Sequence, residues 1–275
     1  MPDVVRVIAV ASGKGGVGKT NVSVNLATAM AMSGKEVMLM DADLGLANVD
    51  VMIGLNPEYD LQHVISGEKQ LDDIIIKGPA GIHVVPASSG VSRMADLTAT
   101  EHASLITAFS ELKQTLDVLI VDTAAGIADT VVSFSKACQE VVVVVCDEPT
   151  SITDAYALIK VLRTQHDIKR FQILANMVVD QAQGLQLYDK LLTTTDRFLD
   201  VGLGYLGAVP FDEQLRRAVQ LQKPVVQAYP RSKAAKAFID IAGKIDQWRQ
   251  PDHASGYLQF FVERLLTASA GTGGH

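Results

Sequence analysis

The segment RVIAVASGKGGVGKT (Arg6–Thr20) joins a short apolar run to a glycine-rich loop and then to a helical pattern. Its last eight residues, Gly13–Thr20, fit the phosphate-loop spacing G-x-x-x-x-G-K-[ST], and the run Arg6–Ala11 predicts the strand that must precede such a loop. Glycines let the backbone approach phosphate oxygens with its N–H groups, and the N-terminus of the next helix adds partial positive charge. The segment therefore predicts a nucleotide-phosphate site between a strand and a helix.

Two lysines lie within this loop, and the chemistry of the motif requires only one of them. Lys19 is expected to reach the β- and γ-phosphates, and Thr20 to offer its hydroxyl to Mg²⁺. A phosphate cradle does not need Lys14, and a solvated surface lysine is the simplest explanation of it. The predicted nucleotide contacts in the loop are Gly13, Lys14, Gly15, Gly16, Val17, Gly18, Lys19, Thr20 and Asn21.

Short β-branched apolar runs alternate with helical patterns along the chain. Strands are predicted at 6–11, 36–41, 82–86, 117–122, 140–146, 171–176 and 205–210, and the main helices at 19–33, 100–112, 151–166, 183–199 and 232–248. Near-continuous apolar strands indicate a sheet that is covered on both faces. The pattern predicts a doubly wound α/β fold with a mostly parallel sheet, helices on both faces and ligands at the carboxyl ends of the strands.

The pattern also suggests where the domain ends. We expect one domain over 1–248, a polar linker with Pro251 over 249–255, a C-terminal amphipathic helix over 256–268, and a disordered tail rich in small residues over 269–275.

The composition excludes several classes of protein. The 275 residues carry a net charge of −7, and a chain of this length can bury its core without disulfide or metal support. Cys138 and Cys146 lack the spacing of a metal site. The acidic balance argues against binding nucleic acid through bulk charge, and the longest strongly apolar run, Val141–Cys146, is too short to span a membrane. We expect a cytoplasmic protein that touches a membrane only peripherally.

Acidic side chains follow two of the predicted strands. Asp122 opens DTAAG (Asp122–Gly126), a pattern in which the carboxylate holds Mg²⁺, directly or through water, and the Gly126 N–H senses the γ-phosphate. An aspartate in an ordinary turn is the alternative. Asp41 and Asp43 open a second acidic segment, DADLGLANVD.

KGGVGKT (Lys14–Thr20) resembles the deviant Walker A motif of the MinD/ParA family, whose members bind MgATP and cycle between a monomer and an ATP sandwich dimer. The resemblance implies that Lys14 reaches the partner's nucleotide. It also implies that Asp43 lies near the attacking water, with Asp41 in a structural role; a helix-capping Asp43 is the alternative. Slow hydrolysis would then depend on Lys14, Lys19, Asp43 and Asp122, with Thr20, Asp43 and Asp122 around Mg²⁺.

The same resemblance assigns the base site and the dimer loop. Asn176 closes the run FQILAN, where its amide would read the adenine edge, although asparagine is also a favoured turn residue. In relatives the loop after the next strand packs on the base, which points to Pro210, Phe211 and Asp212. Glu148 and Asp154 would lie at the dimer interface. For Asp154 the alternative is a capping box, Ser151–Asp154, at the start of the following helix.

Longer strings resemble the flagellar-number regulators of this family. They are DADLGLANVDVMIGL (Asp41–Leu55), VDTAAGIADTVVSF (Val121–Phe134), CDEPTSITDAYALIK (Cys146–Lys160) and LANM (Leu174–Met177). The resemblance implies an ATPase of the cytoplasm, inner-membrane surface or cell pole that controls flagellar number and placement. Its implied partners are a AAA+ flagellar transcriptional activator, which it restrains, and the SRP-type GTPase that places the flagellum.

Other members of the family supply the alternatives. A MinD-type division-site ATPase shares the loop, and so does a ParA-type DNA-partitioning ATPase, which needs a basic surface. The candidates for that surface are Arg216, Arg217, Lys223, Arg231, Lys233 and Lys236, which a solvated helix face explains better. An iron–sulfur carrier needs cysteine ligands, and the sequence has no CxxC. We expect no direct sequence-specific contact with nucleic acid.

The predicted helix at 256–268 has one apolar stripe, formed by Leu258, Phe261, Val262 and Leu265. A helix docked on the domain is one interpretation, and a membrane-targeting helix, as in the family, is the other. Charge adds little to membrane binding because Arg264 is offset by Glu263. Two such helices in one dimer would bind more tightly by avidity. We expect docking in the monomer and release when ATP forms the dimer.

Overall fold

The computed structural model describes residues 5–87, 98–112, 114–248 and 260–261, and this part of the chain contains eight strands, eleven α-helices and one short 3₁₀ helix at Pro79–Gly81. The strands are β1 (Arg6–Ser12), β2 (Val37–Ala42), β3 (Ile76–Lys77), β4 (His83–Val85), β5 (Val118–Ala125), β6 (Glu140–Val145), β7 (Arg170–Val178) and β8 (Gly202–Pro210). The helices are α1 (Lys19–Met32), α2 (Val49–Ile53), α3 (Leu61–Ile65), α4 (Leu71–Ile74), α5 (Ala99–Ser110), α6 (Asp129–Ala137), α7 (Pro149–His166), α8 (Gln181–Phe198), α9 (Glu213–Gln220), α10 (Val225–Ala228) and α11 (Lys233–Asp246).

All eight strands belong to one sheet, in the order β3-β4-β2-β5-β1-β6-β7-β8. Every neighbouring pair is parallel except β3 and β4. The predicted doubly wound, mostly parallel sheet is therefore confirmed. β1 lies centrally between β5 and β6, so the loop after β1 emerges at the switch point where such folds bind ligands.

Helices bury both faces of the sheet. One face packs on α5, α6, α7 and α8 through residues such as Phe109, Phe134 and Leu158. The other packs on α1, α10 and α11 through residues such as Leu26 and Phe238. Because both faces are covered, every residue of β1 and β2 is buried, which explains their continuous apolar runs.

The outer strand β8 is secured by side chains from the helices beside it. The Tyr188 hydroxyl donates to the Leu203 carbonyl at 2.8 Å, Lys244 Nζ to the Leu206 carbonyl at 3.0 Å, and Gln181 Nε2 to the Ala208 carbonyl at 2.9 Å. Strand edges carry main-chain groups that must find partners. Here α8 and α11 provide three of those partners.

Some local predictions differ from the structure. α7 begins at Pro149, so Ser151 lies inside the helix, and its Oγ accepts the Cys146 N–H at 3.1 Å. The predicted capping box at Ser151–Asp154 is therefore wrong. The helices α2, α3, α4, α6, α9 and α10 and the strand β3 were not predicted, because each is too short to show a clear periodic pattern. The limits proposed for the domain stay predictions, since 249–259 and 262–275 lie outside the described residues.

Two helical glycines offer a matched test of this packing. A Cβ at Gly184, in α8, would collide with Ala208 Cβ and lie 2.7 Å from the Tyr205 hydroxyl, whereas a Cβ at Gly243, in α11, would meet nothing within 4 Å. We expect Gly184→Ala to lower the free energy of unfolding by about 1–3 kcal/mol through overpacking. Gly243→Ala should raise it by up to about 1 kcal/mol through helix propensity. Urea denaturation measures both, and equal effects would contradict the close packing of α8.

Candidate functional site

The loop between β1 and α1 has the backbone of a phosphate cradle. Gly16 and Gly18 have φ values of 82° and 86°, which glycine adopts without strain, and a Cβ on Gly15 or Gly16 would project into open space. The loop opens into a cleft of about 950 Å³. Its lining includes Gly15, Gly16, Gly18, Lys19, Thr20, Asn21, Asp43, Asn48, Ala124, Ala125, Val219, Gln220 and Gln222. The cleft therefore brings together the predicted residues Lys19, Thr20 and Asp43.

A buried ion pair lies at the base of this cleft. Lys19 Nζ is 3.0 Å from Asp122 Oδ1, and the two side chains are 8% and 1% exposed. The Ser23 hydroxyl donates to the same oxygen at 2.7 Å. Ser23 lies four residues after Lys19, on the same face of α1, and was missed because serine is unremarkable in a helix. The site thus joins the loop lysine to the carboxylate predicted to bind Mg²⁺.

Asp41 holds the segment that follows β2. It pairs in register with Asp122 of β5, and its carboxylate accepts the N–H groups of Asp43, Asn48 and Val49 at 3.0, 2.9 and 3.0 Å. Burial, with a contribution from the nearby Asp122 charge, raises the pKa of Asp41 to about 7. This is the structural role expected of Asp41.

Asp43 is half-buried at the rim of the same cleft. Its Oδ1 accepts the Leu46 N–H at 3.1 Å, and the N-cap of α2 is Asn48, so Asp43 is not a helix cap. Burial raises the pKa of Asp43. A carboxylate beside Lys19 and Thr20 is suited to orienting a water molecule, and its assignment to catalysis and Mg²⁺ stays a prediction.

Lys14 makes a contact within its own chain. Its Nζ is 2.6 Å from Glu148 Oε2 and 3.0 Å from Thr150 Oγ1, at the start of α7. The hydrogen bond that Lys14 donates to the Glu148 carboxylate raises the pKa of Lys14. Lys14 and Glu148, both predicted at a dimer interface, therefore lie together on the exposed rim of the site. Sequence spacing gave no sign of this pairing, because 134 residues separate them.

Two further predicted residues, Gly13 and Gly126, make close backbone contacts around the phosphate loop. A Cβ on Gly13 would collide with the main chain of Asp154, so glycine allows the loop to pack against α7. The Gly126 N–H, predicted to sense a γ-phosphate, donates instead to the Ser12 carbonyl at 2.8 Å. Contact between Gly126 and a phosphate would require that bond to break.

Asn176 lies beside the loop, at 2% exposure. Its Nδ2 donates to the Val17 carbonyl at 2.8 Å, while its Oδ1 is buried and accepts no hydrogen bond from the described residues. The next residue, Met177, has a left-handed φ of 56°, and its Cε would lie 3.4 Å from a Cβ on Gly18. The Asn176 Oδ1 acceptor, next to the exposed apolar side chain of Met177, fits a purine. Met177 was not predicted because its backbone strain has no sequence signature.

The other residues predicted to contact the base lie in the loop after β8, and their environments differ. Phe211 is 61% exposed and available for a contact. Asp212 is committed to structure, since its carboxylate accepts the N–H groups of Gln214 at 2.8 Å and Ala234 at 3.0 Å, at the starts of α9 and α11. Pro210, half-buried, ends β8 and pairs with Val178. Contact of this loop with a base stays a prediction.

α9 and the turn after it contribute a wall of the cleft that the sequence did not predict, through Val219, Gln220 and Gln222. The nearby basic side chains are all exposed, and none forms an ion pair with a described residue. They are Arg216, Arg217, Lys223, Arg231, Lys233 and Lys236.

Of the predicted apolar stripe, Phe261 is described, while Leu258, Val262 and Leu265 lie outside the described residues. Phe260 and Phe261 are both buried. The Phe109 ring lies 5.0 Å from the Phe260 ring and 6.2 Å from the Phe261 ring, edge to face, and Phe134 stacks on Phe260 at 6.4 Å. The Phe260 N–H donates to the Ala137 carbonyl at 3.1 Å. This part of the chain therefore packs on α5 and α6.

Several features are absent from the described residues. No group of three or more His, Cys, Asp or Glu side chains there could hold a metal ion. Cys138 and Cys146 are both buried, and neither forms a disulfide. No helix within the described ranges has the length and apolar character needed to cross a bilayer.

The comparisons with known proteins agree with this geometry. A family model described as ParA, an NUBPL iron-transfer P-loop NTPase, matches residues 3–246. The antiactivator FleN of Pseudomonas aeruginosa is 58% identical over 262 residues, which cover 95% of this chain and 94% of that protein. The flagellum site-determining protein YlxH of Helicobacter pylori is 34% identical over 266 residues, which cover 95% and 90%.

A solved structure shows the same fold. The septum site-determining protein MinD of Pyrococcus horikoshii, complexed with Mg-ADP, has a TM-score of 0.72 and 26% identity, and the match covers 89% of this chain and 97% of that one. Family model, relatives and structure agree with a phosphate-loop fold, and they confirm the resemblance seen in KGGVGKT. The chain belongs to the ParA/MinD family of P-loop ATPases.

Proposed function

We propose that this protein is an ATP-dependent switch that regulates flagellar number and placement. The observation that carries the proposal is the cleft that joins Lys14, Lys19, Thr20 and Asp43 around a glycine cradle. FleN is an antiactivator and YlxH a flagellum site-determining protein, and both match nearly the whole chain. The switch would restrain a AAA+ flagellar transcriptional activator and act with an SRP-type GTPase.

In this proposal the chain's own residues prepare ATP for slow hydrolysis. The loop N–H groups and Lys19 hold the β- and γ-phosphates, and Thr20 and Asp122 hold the metal. Bound Mg²⁺ would neutralise charge that develops on the phosphates. Asp43 orients a water molecule toward the γ-phosphate. Asn176 Oδ1, buried without a partner, would accept from the adenine amino group.

The change from monomer to dimer would follow from Lys14. In this structure Lys14 pairs with Glu148 and Thr150 of its own chain. In the ATP dimer it would leave them and contact the partner's nucleotide, while Glu148 and Asp154 face the other protomer. Phosphoryl transfer needs positive charge that is already fixed beside the reacting phosphate. A lysine supplied by a second copy of the chain would therefore couple dimerisation to hydrolysis.

The C-terminal segment would transmit this change to a membrane. Phe260 and Phe261 pack against Phe109 and Phe134, which supports docking of the segment on the body of the monomer. Release on dimerisation would free two apolar helices, whose combined binding is stronger than either alone. The protein would then move from the cytoplasm to the inner-membrane surface or the cell pole.

Two other functions have less support. A MinD-type division-site role shares the fold, but the 58% identity to FleN favours flagellar regulation. A ParA-type role would use the exposed basic side chains of α9–α11 on DNA, against a net charge of −7. Iron transfer, named in the family model, would need exposed cysteine ligands, and both cysteines are buried.

The first test separates the role of Lys14 in dimerisation from the role of Asp43 in ATP hydrolysis. We expect Lys14→Ala to bind ATP and remain monomeric, because the contact to the partner's nucleotide is lost. Asp43→Ala and Asp43→Asn should form the ATP dimer, and their rate of ATP hydrolysis should fall by about 100-fold or more. Asp43→Asn keeps an oxygen for the Leu46 N–H, so it separates catalysis from loop folding. Light scattering with ATP or ADP and phosphate release measure these outcomes.

Lys160→Ala serves as the control for the lysine variant, since Lys160 is exposed on α7 and forms no ion pair with a described residue. It should dimerise like the natural protein. Normal dimerisation of Lys14→Ala would rule out the lysine's role in the partner's site. A protein that stays monomeric with ATP in every form would rule out the switch itself.

The second test concerns the C-terminal segment. Vesicles with anionic lipid should retain the full chain with ATP more strongly than with ADP, by about 10-fold or more through avidity. A chain ending at Gln250 should bind weakly in both nucleotides, and its melting temperature checks that the body still folds without Phe260 and Phe261. Co-sedimentation measures the bound fraction, and equal binding of both chains with ATP and with ADP would contradict release of the helix.

A further inference from the structure

Gln222 adopts a backbone conformation that is unfavourable for its residue type. Its φ is 52°, in the turn that follows α9. The Gln222 N–H donates to the Val219 carbonyl and the Lys223 N–H to the Ala218 carbonyl, both at 3.0 Å. Glycine and asparagine occupy this position after a helix at lower cost. Strain of this kind persists where the residue has another use.

The side chain of Gln222 bridges two walls of the nucleotide cleft. Its Nε2 donates to the Val51 carbonyl of α2 at 2.7 Å, across 171 residues of sequence. Gly54 makes room for the bridge, since a Cβ there would lie 3.3 Å from Gln222 Cβ. Val51 and Gln222 both line the cleft. Glutamine has the length and the donor for this contact, which glycine lacks.

The bridge fixes the far end of the segment that carries Asp43. At the near end, Asp41 accepts the N–H groups of Asp43, Asn48 and Val49. Between these anchors, the side chain of Leu46 is exposed. The position of Asp43 over the phosphate loop therefore depends on anchors at both ends of the segment.

We propose that Gln222 is a positioning residue for ATP hydrolysis, acting through α2 to hold the Asp43 segment against the phosphate loop. The inference rests on the proposed ATPase function and adds a residue to it. Gln222 does not need to touch the nucleotide for this role. Its bond would favour the closed segment without changing the affinity of the phosphate loop for ATP.

The test compares Gln222→Glu with Gln220→Glu. Gln222→Glu keeps the shape of the side chain but replaces the donor with an oxygen that repels the Val51 carbonyl. Gln220→Glu adds the same charge to the same cleft wall without a bond to α2. We expect the kcat of Gln222→Glu to lie about 2- to 10-fold below that of Gln220→Glu, the effect of one hydrogen bond, with the Kd for ATP of the two variants within about twofold of each other. The kcat of Gln220→Glu reports the effect of the added charge alone.

Two further measurements separate positioning from folding. Gln222→Gly relieves the φ strain, so it should keep or raise the melting temperature and still lose kcat as Gln222→Glu does. Hydrogen exchange without nucleotide should become faster at residues 49–55 in both Gln222 variants. Equal kcat in Gln222→Glu and Gln220→Glu, or unchanged exchange, would overturn the role of Gln222. Absence of ATP hydrolysis by the natural protein would instead overturn the proposed function.

Discussion

The ion pair between Lys19 and Asp122 is the interaction around which the rest of the site is built. Removing two charges from water costs several kcal/mol per ion, and such pairs rarely repay it through stability alone. Here the pair unites β5, α1 and the phosphate loop, and Ser23 supplies an extra donor to the carboxylate. The field of Asp122 also reaches Asp41 and helps to raise its pKa. A site for a charged phosphate and its metal requires charged side chains at the cleft, even though burying them is costly.

The residues around this pair are already engaged with partners in the same chain. Lys14 binds Glu148, and Gly126 donates to Ser12. A nucleotide that took over these groups would have to break existing bonds as it formed new ones. Part of the binding free energy would then be spent on rearrangement, which is how a ligand shifts a protein between two states. In the proposed function, these contacts form the resting state of the switch.

The sequence predicted the parts of this site that local rules govern. The loop spacing marks Lys19 and Thr20, and the rule that parallel strands end at one edge brings Asp41 and Asp122 together. Contacts between distant segments could not be predicted. Nothing near Gln222 indicates Val51, and nothing near Lys14 indicates Glu148, because such pairs depend on how loops pack in three dimensions. Asp212 also has a role that its sequence context did not indicate, since its carboxylate accepts N–H groups at the starts of two helices.

The three side-chain bonds to β8 affect how the molecule can associate. Exposed strand edges recruit other chains by adding their backbones to the sheet, and the resulting assemblies have no natural end. Tyr188, Lys244 and Gln181 occupy carbonyls that an added strand would need. Self-association by sheet extension is thereby discouraged on this side. This protection suits the proposed function, because pairs formed through the sheet edge would not be reversed by ATP hydrolysis.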